Sequence, residues 1–287
     1  MSIEEIEDHD RGLSHDLPKI IEQGVARRRM FGILGGLAAA GTLAACGSSD
    51  DGSSASTSTN SGSAPGGGAP GADSNVTVAD GEIPEETAGP YPGDGSNGKN
   101  VLTQSGVVRS DIRSSFAGAT GVAAGVPLTL RFKVYDLSGS TKKSMSGAAV
   151  YAWHCDRDGN YSMYSDAVAD QNYLRGVQVV DDDGWVEFTS IFPACYSGRW
   201  PHVHFEVYPS VDDATSASNK LRTSQLAFPK DTCETVYAED GYEQSVSNLS
   251  QVSLDTDGIF SDGYSLQLAT MTGSVAKGYV ATLNVPV

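Results

Sequence analysis

Histidine, cysteine and basic residues are all scarce in this 287-residue chain: five His, four Cys, and 19 Lys+Arg against 36 Asp+Glu. The formal net charge of −17 leaves no cationic surplus to neutralise phosphates, which argues against nucleic acid as a partner. An anionic membrane surface is equally unattractive to the folded part. Charged residues make up only 19% and glycines number 33, so the chain is neither a coiled coil nor a long-helix protein. No apolar run reaches the roughly 20 residues of a spanning helix. There is no internal repeat, and no GxxxxGK[ST] motif marks a phosphate-cradling loop.

What is present begins with an address. Arg27-Arg28-Arg29 precede an apolar stretch from Met30 to Ala45, and Cys46 follows. A positive region, a short apolar run and small residues before a cut site form the pattern of an export signal. The arginines resemble a twin-arginine signal, and Leu43-Ala44-Ala45-Cys46 resembles a bacterial lipobox. Residues 1–46 are therefore expected to direct export. Cys46 would become a lipidated N-terminus on the outer face of the cell membrane, with plain secretion as the rival outcome. Cleavage there removes five basic and seven acidic residues and leaves a net charge of −15. Residues 47–80 are almost entirely Gly, Ser, Ala, Thr, Pro and Asp. Such a segment cannot bury enough apolar surface to offset its ordering entropy, so it reads as a flexible tether.

Residues 81–287 are expected to form one domain. Apolar and polar residues alternate over Leu128–Tyr135, Ala148–Trp153, Gly184–Phe188, His202–Tyr208 and Val280–Val287. That period predicts strands with one buried face. Turn signals separate them at Asp158-Gly159, Asp183-Gly184, Asp240-Gly241, Asp257-Gly258 and Asp262-Gly263. Helical periodicity is weak outside Thr232–Ala238. The expected fold class is all-β, an antiparallel β-sandwich.

Chemistry concentrates in residues 151–204. Past Cys46 three histidines remain, His154, His202 and His204. On a strand, residues two apart leave the same face, so His202 and His204 project together as half of a metal site. His154 follows Trp153 onto the opposite face and is read as structural. The remaining candidates nearby are tyrosines: Tyr161 after a strand-ending turn, and Tyr196 in the Gly- and Pro-containing connection into the HxH strand. Two His, two Tyr and no suitably paired carboxylate are not a zinc pattern. Phenolate is a hard anionic donor suited to a hard trivalent cation such as Fe(III). Asp181-Asp182-Asp183 before Gly184 reads as a turn, not an ion loop.

At these residues the sequence resembles the intradiol ring-cleavage dioxygenases, the family of protocatechuate 3,4-dioxygenase and catechol 1,2-dioxygenase. Thr87–Tyr91, Trp153–Tyr161, Leu174–Gly184 and Phe192–His204 carry the resemblance, which covers most of 82–287. It implies non-haem Fe(III) held by Tyr161, Tyr196, His202 and His204, with a catechol-type substrate and O₂ as small-molecule partners. It implies that Tyr196 leaves the metal to act as an internal base. Arg199 would stand beside the substrate ring, Gln225 would complete the catalytic set, and Tyr91 would lie near the substrate mouth. No helical dimerisation segment like that of the catechol 1,2-dioxygenases precedes the sandwich, and an oligomer stays open. After export a disulfide is permitted among Cys155, Cys195 and Cys233. Cys195–Cys233 is favoured and Cys155–Cys195 is the rival.

Two other functions fit the same residues. A binding module for carbohydrate or an aromatic ligand would use Trp153, Trp185 or Trp200 as a stacking platform. A copper- or zinc-handling lipoprotein is the other.

Overall fold

A computed structural model describes residues 78–138 and 141–287, all within one compact unit, Ala69–Val287. The export signal, Cys46 and the tether as far as residue 77 lie outside the described residues.

Strict alternation builds the first sheet. Strand β1 (Pro127–Asp136) buries every second residue: Leu128, Leu130, Phe132 and Val134. It pairs with β5 (Trp185–Ile191), with β9 (Gly278–Pro286) and, at its end, with β2 (Lys143–Ser144). Strand β8 (Thr270–Ser274) closes the sheet on β9. The second sheet runs β4 (Arg175–Val179), β3 (Ala149–Trp153), β6 (His202–Tyr208), β7 (Arg222–Ala227), antiparallel throughout. The sheets face each other across an apolar layer in which the Phe132 and Phe205 rings lie 5.0 Å apart. The all-β sandwich expected from the alternation is present, and β6 has the predicted bounds.

One pairing departs from the antiparallel expectation: β1 and β9 are parallel. A parallel neighbour requires a long return path, and the chain supplies one. Between β7 and β8 it makes helices α1 (Lys230–Tyr237) and α2 (Glu243–Leu249). The first of these is the segment whose helical periodicity was visible.

Strands β3, β6 and β7 are buried on both faces. Their inner residues, such as Val150, Val203 and Leu226, join the sandwich core. The outer face of β3 joins a second apolar cluster with Val101, Leu102 and Val107 from the strap that precedes β1. That strap is stitched to both sheets: Glu86 N–H donates to the Thr223 carbonyl at 2.8 Å and Ile112 N–H to the Thr189 carbonyl at 3.0 Å. The sandwich thus has an enclosed outer face on which polar side chains can be held out of water.

Two expectations are corrected here. Cys155, Cys195 and Cys233 are free and buried, so neither Cys195–Cys233 nor Cys155–Cys195 forms a disulfide. The Cys155 and Cys195 thiols instead turn onto backbone carbonyls, of Ala194 at 3.7 Å and Arg199 at 3.5 Å, and Cys233 is packed inside α1. Nor is there a tryptophan platform. Trp153 and Trp200 are fully buried, and the Trp185 ring is covered by Arg131 and Lys133.

Candidate functional site

Register places a row of three side chains across the enclosed face. Trp153 on β3 lies opposite His204 on β6, and His204 opposite Gln225 on β7. Directly paired residues share a face. The Trp153 indole therefore stacks on the His204 imidazole, ring centroids 4.9 Å apart and 7° from parallel. His202, two residues before His204, points the same way, and the two Nε2 atoms stand 3.1 Å apart.

The two tyrosines arrive from loops. After β3 the chain turns through Asp156–Asn160, where the Asp156 carboxylate accepts the N–H groups of Asp158 and Asn160. Gly159 takes φ +88 there, a left-handed conformation that costs glycine little, with the Tyr196 Cβ 3.3 Å from where a side chain would begin. This turn delivers Tyr161. Tyr196 comes from the connection into β6. The Tyr161 and Tyr196 hydroxyls are 3.5 Å apart, and the Tyr196 hydroxyl is 3.2 Å from His202 Nε2. Four donor atoms thus converge, as the sequence pattern predicted. Tyr161, His202 and His204 are buried and Tyr196 is half-buried.

Protonation states follow from the enclosure. Burial, then the Arg199 charge, hold His202 well below its ordinary value; burial, then His202, do the same for His204. Both imidazoles are neutral at pH 7. His202 Nδ1 is 2.5 Å from the Trp200 carbonyl, which fixes the proton on Nδ1 and leaves the Nε2 lone pair facing inward. Burial also raises both phenols, Tyr161 well above its ordinary value and Tyr196 to about 12, the latter against the opposing pull of Arg199. Without a cation both stay protonated.

These donors fit a hard trivalent metal ion. His204 Nδ1 is buried with no hydrogen-bond partner, so the ring is held by packing with its Nε2 turned to the other donors. Among the described residues, no group of three or more His, Cys, Asp or Glu is placed to hold a metal. A site here must therefore draw on the tyrosine oxygens.

Arg199 and Gln225 join the site as expected. Arg199 Nη2 donates to Gln225 Oε1 at 2.7 Å, and Nη1 lies 3.4 Å from His202 Nε2. Tyr91 is half-buried with its ring 5.1 Å from those of Tyr161 and Tyr164. His154 stands apart, as read: its nitrogens lie 2.7 Å from the Cys155 carbonyl and the Ser190 hydroxyl, and burial pushes it down to about 4.

Three supporting residues were not singled out from the sequence. Asp257, fully buried, accepts from Arg199 Nε at 2.9 Å and from the Trp200 N–H at 2.6 Å. In the sequence it was legible only as part of an Asp-Gly turn. Arg175, fully buried, donates to the carbonyls of Tyr91, Pro92 and Ser162 and to the Ser162 hydroxyl. It pins the strap to the turn that follows Tyr161. Gly89 takes φ +70, where a Cβ would sit 3.3 Å from His204 Cε1.

The fold and this cluster define an all-β sandwich with an enclosed site of two tyrosines, two histidines and an arginine. A family model described as dioxygenase matches residues 109–248. A chlorocatechol 1,2-dioxygenase from Rhodococcus opacus is 36% identical over 110 residues, covering 35% of this chain and 42% of that protein. The chain thus matches less than half the length of that curated relative. The structure of an intradiol ring-cleavage dioxygenase from Tetranychus urticae superposes with a TM-score of 0.52 at 25% identity, over 63% of this chain and 86% of that one. A second dioxygenase structure gives 0.51 at 24%, over 63% and 85%. Over these residues the chain is similar to the intradiol ring-cleavage dioxygenases.

Proposed function

We propose that the protein is a non-haem Fe(III)-dependent intradiol dioxygenase. It would cleave a catechol-type ring between its two hydroxyls with O₂ and give a cis,cis-muconate-type diacid. The observation that carries this reading is the convergence of the Tyr161, Tyr196, His202 and His204 donor atoms in an enclosed place beside Arg199. When bound, a ferric ion would supply Lewis-acid activation of the diol towards O₂.

The chain's own residues supply the rest. Tyr161, His202 and His204 hold fixed positions, the histidines on a rigid strand and Tyr161 behind its turn. Tyr196 is less enclosed by the sheet and sits beside the guanidinium of Arg199. Were a bound cation to hold it as the phenolate, its Oη could accept a proton from a substrate hydroxyl, because burial raises that group's affinity for protons. Arg199 is oriented from two sides, by Asp257 at Nε and by Gln225 at Nη2. Its Nη1 edge faces the ligand cluster and would stabilise negative charge developing on the ring, worth about 3 kcal/mol for one well-placed donor. Trp153 and the strap exclude water from the imidazoles.

The binding-module reading gains no observation, since the tryptophans it needs are buried or covered. For place in the cell, the Arg27–Cys46 pattern supports export and lipid anchoring of the mature chain.

Oxygen uptake on adding catechol or protocatechuate to the iron-loaded protein tests the activity. Uptake is expected in the wild type and its loss in Tyr161→Phe and in His204→Ala. Unchanged uptake in both variants would refute the ligand assignment.

A further inference from the structure

A carboxyl group lies one layer behind the site and has no role in the chemistry above. Glu86, in the strap, is 1% exposed. Its Oε1 accepts from Gln267 Nε2 at 3.2 Å, and its Oε2 is buried with no hydrogen-bond partner. The same Gln267 nitrogen donates to the main-chain oxygen of Gln225 at 3.3 Å. The Gln225 side chain returns to the strap: its Nε2 donates to the carbonyl of Thr87, the residue after Glu86, at 3.0 Å. Its Oε1 is the acceptor that holds Arg199. Glu86 is therefore joined to Arg199 through Gln267 and Gln225, and through its own peptide chain.

The charges around Glu86 come from several elements. Asp262 and Asp257, from the segment after α2, oppose a negative charge on it, and Arg199 from the connection before β6 favours one. On the strap itself and on β7, Glu82 and Glu85 face Arg222, at 2.8 and 4.0 Å. Asp257 already occupies one edge of the Arg199 guanidinium at 2.9 Å. A carboxylate at Glu86 would be a second anion drawing on the same arginine. Burial above all, then Asp262, push Glu86 up to about 8, so the group carries its proton at neutral pH.

We propose that Glu86 is a positioning residue that works as a neutral acid: protonated, it leaves the Arg199 charge to the substrate, and its ionisation draws that charge back into the strap. This rests on the reading of Arg199 as the group that stabilises charge on the ring. The coupling is electrostatic and runs through the Gln267–Gln225 link, so it needs no movement of the donor cluster.

The test compares iron-loaded wild type with Glu86→Gln, which keeps the shape and cannot ionise. kcat/KM for catechol is measured at pH 6.5 and pH 9, and urea midpoints are taken at the same pH values. The wild type should lose about tenfold more of its kcat/KM over this range than E86Q, as a single ionisation requires. Its urea midpoint should also fall relative to that of E86Q. A carboxyl whose folded pKa is raised binds its proton more tightly folded than unfolded, so stability is lost as pH rises towards the folded value. An identical alkaline loss in both chains would overturn the proposal. If E86Q does not fold, Gln267→Leu serves. It removes a bond that favours the ionised form, so the alkaline loss should move to higher pH, and an unmoved profile overturns the proposal. Should neither chain cleave a catechol at any pH, the activity reading falls. The midpoints then decide alone, parallel curves overturning the buried-acid role and diverging curves supporting it.

Discussion

At the scale of single residues, the site depends on a charge that is buried and paired. Arg199 is held by a carboxylate with no exposure to solvent, and that carboxylate also caps the Ile259 and Phe260 N–H groups at 2.9 and 3.2 Å. Removing one member of such a pair strands the other. Asp257→Ala is therefore expected to destabilise the protein by about 3–5 kcal/mol and to weaken catechol turnover as well. Thermal or urea unfolding measures the first effect. An unfolding midpoint equal to that of the wild type would show that the pair is not what orients Arg199. Three of the four donor residues were legible in the sequence because Tyr-x-x-Arg-x-x-His-x-His is compressed into one stretch, Tyr196 to His204, and Tyr161 followed from the family resemblance upstream of it. Asp257 was not, because its importance comes from a contact 58 residues away in the chain. The cysteines misled for a related reason. Their number and the expected export permit a disulfide, but thiol orientation is set by packing that no spacing encodes.

At the scale of elements, alternation was a reliable guide where one face of a strand meets the core, as in β1. It also found β3 and β6, whose faces are both buried, but missed β4 and β7. Strands β4 and β7 carry no clean alternation, since the strap hides polar residues such as Arg175, Thr223 and Gln225 on their outer faces. The strap is itself an element that the sequence disguised. It has few regular backbone pairings, but it carries Glu86, Gly89 and Tyr91 against the site. Gly89 shows how close that approach is. Gly89→Ala adds a Cβ at 3.3 Å from the His204 ring in a conformation that costs an L-residue about 1–2 kcal/mol. The expected result is a folded protein that binds less than one iron per chain, read by elemental analysis beside circular dichroism. Full iron occupancy in G89A would show that the strap does not press on His204.

At the scale of the whole molecule, the sandwich supplies rigidity and the long return between β7 and β8 supplies Asp257, Asp262 and Gln267. The parallel β1–β9 pair inside the first sheet is made possible by this return, and no local pattern announced it. The Arg27–Cys46 pattern makes a definite forecast. Mass spectrometry of the protein from its native membrane should find an N-terminus at Cys46 bearing acyl chains, and a chain beginning at Met1 in that fraction would contradict it. The account as a whole turns on whether phenolate oxygen reaches iron. Tyrosinate bound to Fe(III) absorbs visible light, so the most direct measurement is the visible spectrum of the iron-loaded protein and of its Tyr161→Phe variant. A burgundy wild type whose band weakens and shifts in Y161F is the predicted result. A protein that binds one iron per chain and stays colourless would contradict it.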